Sequence, residues 1–554
     1  MRALRVPFTA WSGALGVALG LLGLLLFKHL SFPLMWHDEA ATAMFGRSVL
    51  ENGYPKVHGP KNTLYGLDVP LEVGVNQALD AYLGSPWLQY YVAAAAELLA
   101  RRVHDPYEKT ARMRLPFALA GALGLALLLW GVLPAIEGPA QRRVLFALLF
   151  TLLCCASVSL LLHLREARYY ALTVLWVGAS VLLFLRRHCF GSIGAGLYAA
   201  LLVPLLFLLF NTFYPAFAAL AAAAALHAIF RAMRGGTPRR LAIDLLPLIA
   251  AGLAVLPLVF FYRLFEVTSL LLERYDPART YGVQLADTLV TLLRYEFLAP
   301  VIAARLWVAG LRFARRTQPI SEALRRRLAA SDFLSLFAVV YVLLVSRTPF
   351  FYERYFIALS PVLSATLLLD LFSGVALARG GSLGLRRARA AGLALLTVVL
   401  ASVAVVRAPE FEGRLHEIDH IYRGPLDHII PYLLDGHEHP EDLVVATNYE
   451  ETSFMYYLDC RVLVGFYAPN LVRDFLFVPD VILARPWGRG FTALGRLSMP
   501  YRWAGTRFPV ENIKANNTPS LSPRNQAQIV HRFRSPELPD AERGVLLLER
   551  LREE

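Results

Sequence analysis

Residues 36–55, WHDEAATAMFGRSVLENGYP, decide how the rest of the chain is read. Two adjacent carboxylates, Asp38 and Glu39, open the segment. An amphipathic stretch follows and stops at Gly53 and Pro55, which reads as a short helix with its terminator. The segment begins a few residues after an apolar run from Trp11 to Leu30. The acidic pair therefore stands at the edge of a membrane, where a carboxylate costs desolvation energy and is a functional candidate.

Working outward, the chain has 554 residues, 56% of them hydrophobic, and a mean hydropathy of +0.48. That is too apolar for a soluble chain of this length. Uncharged runs of about 18 residues recur, the length that spans a bilayer. We expect an α-helical polytopic membrane protein with about eleven spans. They fall near 11–30, 114–133, 144–162, 171–186, 193–210, 215–230, 241–261, 296–311, 333–346, 356–377 and 391–406. The first run follows Arg2 and Arg5 and lacks a small-residue cleavage site, so it reads as a retained helix rather than a signal peptide.

The net charge is +13. Its basic excess sits in short loops: Arg142–Arg143, Arg186–Arg187, Arg231–Arg240, Arg312–Arg327 and Arg386–Arg389. This matches cytoplasmic loops of a membrane protein better than it matches a nucleic-acid surface. The N-terminus is then cytoplasmic and the C-terminal tail extracytoplasmic. Of the four cysteines, Cys154 and Cys155 lie in a span, Cys189 at a basic loop and Cys460 alone in the tail, so no disulfide is indicated.

Two regions follow. Residues 1–406 form the membrane module, whose first outer loop, 31–113, holds the Asp38 helix and a second one around Pro86–Arg102. That second helix is too short to span, and its Trp87, Tyr90 and Tyr91 suit an interface. Residues 407–554 hold 17 basic against 21 acidic side chains. There DLVVATN (442–448) and RVLVGF (461–466) read as buried strands around the amphipathic ETSFMYYL, with PDVILAR and VLLLER as further strands. We expect a small α/β domain outside the membrane.

Each candidate group has a plain alternative. Asp38 can serve as a helix N-cap with Glu39 in the first turn, as a general base for an acceptor hydroxyl, or as a ligand of a divalent cation, magnesium or manganese. Arg165, Arg168, Arg347 and Arg354 lie in brief outer loops, HLREARYY and SRTPFFYERY. Such arginines either anchor to lipid headgroups or grip a phosphate with their planar fork. Glu166 and Glu353 are placed to fix the rotamers of these arginines. HEIDH, His416–His420, is formally a zinc-protease pattern, but Pro425 leaves it little scaffold and His428 does not fit the extended spacing. His437 and His439 add only a weak structural-metal pattern. Asn516–Thr518 is a glycosylation sequon, meaningful only in a host that glycosylates.

WHDEAATAMFGRSVLENGYP, GSPWLQYYVAAAAELL, ARMRLPFALAG, HLREARYYAL and FYERYFIALSP occur in an order, across roughly residues 10 to 365, that resembles the GT-C glycosyltransferase superfamily. The group resembled uses polyprenyl-phosphate sugars and includes aminoarabinose transferase and protein O-mannosyltransferase. The resemblance implies a GT-C-like fold in a bacterial inner membrane. It implies inverting transfer of a sugar from a polyprenyl-phosphate donor to an extracytoplasmic lipid, glycan or protein. Asp38 matches the catalytic carboxylate and Glu39 its acidic neighbour. Arg168 and Arg354 match positions assigned to the donor phosphate, where Arg165 is also expected. Tyr65, Trp87, Tyr169 and Glu353 are expected around the substrate cavity. One departure concerns that cavity: relatives carry Pro-Pro-Leu with a nearby Lys where this chain has Ser85-Pro86-Trp87-Leu88. The competing classes are a flippase for lipid-linked saccharides, which would place charges mid-span in repeated halves, and a zinc protease built on HEIDH.

Overall fold

Apolar runs become helices because a membrane-spanning segment must satisfy every backbone group internally. The structure is a computed structural model, and it describes residues 8–64, 71–235, 237–275, 280–348, 353–378, 383–421, 423–463, 476–484, 503–511 and 544–550. Among these residues eight helices are long and apolar enough to cross a membrane. A ninth counts if Tyr281–Tyr295 and Leu298–Ala314, bent by 85°, form one broken span. The difference from the expected eleven has local causes. The run at 144–162 is divided at Ser157 into Ala140–Ala156 and Val158–His163, and the run at 193–210 gives a helix of only 16 residues, Ala195–Phe210. The stretch 262–295, expected as a loop, holds two further helices, Leu264–Tyr275 and Tyr281–Tyr295. The architecture is that of a polytopic helical membrane protein with a C-terminal α/β region.

Close crossings set the positions that matter for the site. Helix Pro106–Val132 starts at Asp105, whose carboxylate accepts from the Tyr107 and Glu108 amides, with Pro106 in the first turn. It crosses Tyr169–His188 with no room for side chains: a Cβ on Gly178 would lie 2.4 Å from the Gly124 carbonyl oxygen. Small residues at such contacts let membrane helices approach closely. The crossing fixes Arg114 on one helix relative to Arg168, the residue that precedes the other. In the loop 31–113, helix His37–Asn52 packs on Leu88–Ala100. Gly46 makes this possible, since a Cβ there would meet the Ala93 backbone at 2.8 Å.

The last long helix, Leu383–Asp419, runs 37 residues without a break. It carries the chain through position 407, where the composition changes. Beyond it, strands Val444–Thr447, Arg461–Leu463 and Val481–Ala484 are parallel, with Val444–Thr447 in the middle. Gly544–Arg550 and Trp503–Glu511 complete a five-stranded sheet in antiparallel fashion. The crossover helix Glu451–Leu458 is buried along its whole length. It packs against His37–Asn52. Burying Phe454, Met455 and Leu458 there contributes about 2 kcal/mol per side chain.

Candidate active site

Helix His37–Asn52 is capped by the Trp36 backbone with no side-chain cap bond. Asp38 therefore does not serve as the N-cap and is left to make other contacts. Its side chain is 28% exposed. Its Oδ2 lies 3.4 Å from Arg168 Nη2 and 3.9 Å from Arg354 Nη2. Both arginines are fixed: Arg168 Nη1 donates to the Asp38 carbonyl at 3.2 Å and to Thr42 Oγ1 at 3.0 Å. Arg354 lies over the rings of Trp36, at 5.1 Å, and Tyr170, at 5.8 Å. The structure thus brings together two arginines from loops 186 residues apart around one carboxylate that keeps an opening to solvent.

The electrostatics follow from this ring. Burial raises the Asp38 pKa, but Arg168, Arg354 and His37 together outweigh it and hold the carboxyl below its ordinary 3.8. Tyr90, expected as an interface anchor, is instead buried beside the pair. Burial first, then Asp38, push its phenol up to about 12 against the opposing pull of Arg168 and the Ser85 hydrogen bond. Tyr169 stacks on Phe213, with ring centroids 5.3 Å apart, and under the Arg168 guanidinium at 5.4 Å.

Glu39 points the other way and is fully buried. Arg114 grips it with two bonds, Nε to Oε1 at 2.8 Å and Nη2 to Oε2 at 2.6 Å. The Ala167 amide donates to the same Oε1 at 2.8 Å, one residue before Arg168. Glu39 ties together the Asp38 helix, helix Pro106–Val132 and the loop that presents Arg168. Arg114 was not singled out in the sequence; its signal is a charge at the start of an apolar run.

The other expected site residues have partners of their own. Arg165 donates to the Leu25 carbonyl at 3.3 Å and to the Lys28 carbonyl, closing the end of the first helix. Glu353 and Glu166 meet at the buried His163: Nε2 is 3.3 Å from Glu353 and Nδ1 is 3.4 Å from Glu166. Burial lowers the His163 pKa, yet the two carboxylates raise it above 6.5. Ser159 Oγ donates to Glu353 at 3.1 Å. Trp87 donates to the Tyr82 carbonyl at 2.6 Å and packs edge-on against Phe261 and Tyr262. Arg347 is exposed and lies over the Tyr281 ring. Tyr65 lies outside the described residues, as does the sequon at 516–518.

HEIDH ends the long helix, and its two imidazoles stack on each other at 3.8 Å. His437 bonds the Leu433 carbonyl and His439 faces Glu441. Among the described residues no three His, Cys, Asp or Glu side chains come together to hold a metal ion. At Asp38 the neighbours are guanidiniums, not ligands. A divalent cation finds no ligand set among these residues.

No protein-family model and no curated protein matches the chain. Solved structures of archaeal oligosaccharyltransferases from Archaeoglobus fulgidus are similar in fold at 12% sequence identity. One is AglB in complex with an inhibitory peptide and a dolichol-phosphate; the similarity covers 86% of this chain and 69% of that one, with a TM-score of 0.47. Two more are the apo form, covering 82% and 64% with a TM-score of 0.41, and a complex with Zn and sulfate, covering 85% and 68% with a TM-score of 0.42.

Proposed function

We propose that the chain is an integral membrane glycosyltransferase of GT-C type that takes a hexose or pentose from a polyprenyl-phosphate donor. One observation carries the reading: a partly open carboxylate, Asp38, held ionised between the guanidiniums of Arg168 and Arg354. The motif resemblance of residues 36–55, 163–172 and 351–361 supports it. The membrane is the bacterial inner membrane, with a cytoplasmic N-terminus. Residues 1–406 are the catalytic module, and 407–554 form a periplasmic domain.

The donor phosphate binds Arg168 and Arg354, because a planar guanidinium suits a phosphate and both are pre-positioned. In the resting state Asp38 is a weak base, since the arginines hold its pKa down. A bound phosphate draws on the same positive charge, so the Asp38 pKa rises when donor is in place. Asp38 then takes the proton of an acceptor hydroxyl. The acceptor oxygen attacks the anomeric carbon from the face opposite the phosphate. The bond from carbon to phosphate oxygen breaks, its electron pair leaves with the polyprenyl phosphate, and configuration inverts. Where the acceptor is itself a phosphate or another acid, Asp38 orients it instead. Glu39 is a positioning residue that sets Asp38 and Arg168 through Arg114 and Ala167.

The acceptor is a lipid, glycan or protein on the outer face. The direct test is Asp38→Asn in purified, membrane-inserted protein supplied with labelled polyprenyl-phosphate sugars. Transfer is abolished with the fold retained; undiminished turnover overturns the assignment.

A further inference from the structure

Resting on that reading, the geometry points to a positioning role for the C-terminal α/β region: it holds the start of the Asp38 helix as its sheet's ligand. In open α/β sheets, ligands lie outside the carboxyl ends of parallel strands, where successive connections leave to opposite sides. Here Val444–Thr447 is that strand. The chain goes from it through helix Glu451–Leu458 to Arg461–Leu463 on one side, and Val481–Ala484 pairs on the other. The place where a ligand would sit is filled by residues 34–37 of the first outer loop.

Four backbone groups of that segment are bound by side chains of the C-terminal region. The Leu34 amide donates to Asp427 Oδ1 at 2.9 Å, and the Met35 amide to the Tyr457 hydroxyl at 2.9 Å. Ser453 Oγ donates to the Met35 carbonyl at 2.9 Å, and Thr452 Oγ1 to the His37 carbonyl at 2.7 Å. The His37 ring lies 3.5 Å from Glu451 Oε2 and stacks on Tyr449 at 5.8 Å. Asp427 is itself held by the Gly424 amide at 2.9 Å. Side chains more than 380 residues away thus satisfy four backbone groups between Leu34 and His37, the last of them one residue before Asp38. They fix where the helix begins and so where its second residue points. Arg168 inherits the same placement, because it is anchored on the Asp38 carbonyl.

The test uses full-length protein in lipid nanodiscs. Thr452→Val with Ser453→Ala, and separately Tyr457→Phe, remove hydroxyls without adding bulk; Thr452→Ser keeps the hydroxyl. Hydrogen exchange of the amides at 34–38 accelerates in the first two and stays slow in Thr452→Ser. With a polyprenyl-phosphate sugar that the wild-type protein consumes, kcat falls about 10- to 100-fold, donor KM changes less than about two-fold, and Thr452→Ser retains wild-type turnover. Unchanged exchange overturns the proposal whatever the enzyme does, and so does faster exchange with unchanged kcat. Wild-type protein that consumes no such donor, with exchange accelerated in the variants, overturns the glycosyltransferase reading and leaves the grip on residues 34–37 standing.

Discussion

Glu39 and Arg114 close a two-pronged ion pair 75 positions apart in the chain, with both side chains out of solvent. Removing one member of a buried pair strands the other charge and costs about 3–5 kcal/mol, whereas replacing both with apolar groups is far milder. Glu39→Gln and Arg114→Met should each lower the midpoint of denaturant unfolding in detergent strongly. Glu39→Met with Arg114→Met should recover much of the loss. Additive losses would show that the pair does not act as a unit.

Asp38 makes a pH prediction with a definite sign. Its folded pKa lies below 3.8, so the unfolded chain binds that proton more tightly than the folded one. The stability it contributes is present above the unfolded value and is lost as pH falls through the folded one. Arg168→Gln removes one cause of the depression. The acidic limb of kcat/KM should then move to higher pH, measured across a buffered series from pH 3 to 7. An unmoved limb would detach Asp38 from the ionisation that controls turnover.

Charge alone should not replace the Arg354 guanidinium, which lies over the faces of Trp36 and Tyr170. Lysine keeps the charge but loses the flat fork. Arg354→Lys should cut kcat/KM for the lipid-phosphate donor about ten-fold or more, equivalent to at least about 1.4 kcal/mol. Arg347→Lys, at an exposed position, serves as the unaffected control in the same kinetic assay.

The Gly124–Gly178 crossing tolerates no bulk, because the atom a new Cβ would meet is backbone. Gly178→Leu should destabilise the protein by about 3 kcal/mol or more, read as loss of monodisperse protein on extraction. Gly252→Leu, on a helix where an added Cβ meets nothing within 4 Å, should extract like wild type.

His163 sits between Glu166 and Glu353 with no exposure. Its folded pKa is raised, so its contribution to stability is full below 6.5 and is lost as pH rises through the folded value. His163→Leu should flatten the alkaline decline of the unfolding midpoint and lower it throughout the neutral range.

How much of this was written in the chain depends on range. Most spans, four of the five tail strands and the helix from His37 are local patterns of period and length, so they were legible; strand Trp503–Glu511, with Gly505 and Pro509 in it, was not. The acidic pair Asp38–Glu39 stood out for a local reason too, because carboxylates beside a span are costly. The division of labour between Asp38 and Glu39 was not legible. Adjacent residues on a helix face directions about 100° apart, and only the partners, Arg114 on one side and Arg168 on the other, decide which is buried. Glu166 and Glu353 looked like partners of the arginines beside them. The fold joins them through His163, whose single position in an apolar run gave no pattern. The grip of Thr452, Ser453 and Tyr457 was invisible for the same reason: hydroxyls bonding distant backbone leave no periodicity.

The helix Leu383–Asp419 has a consequence of reach. At 1.5 Å per residue, its 37 residues reach about 55 Å, far beyond the roughly 30 Å of a bilayer's hydrocarbon. Its apolar span closes at Pro409, so residues 410–419 stand past the hydrocarbon, and Lys28 meets that end through Asp419. The sheet is thus strung from a helical stem that has already left the lipid before the first strand begins.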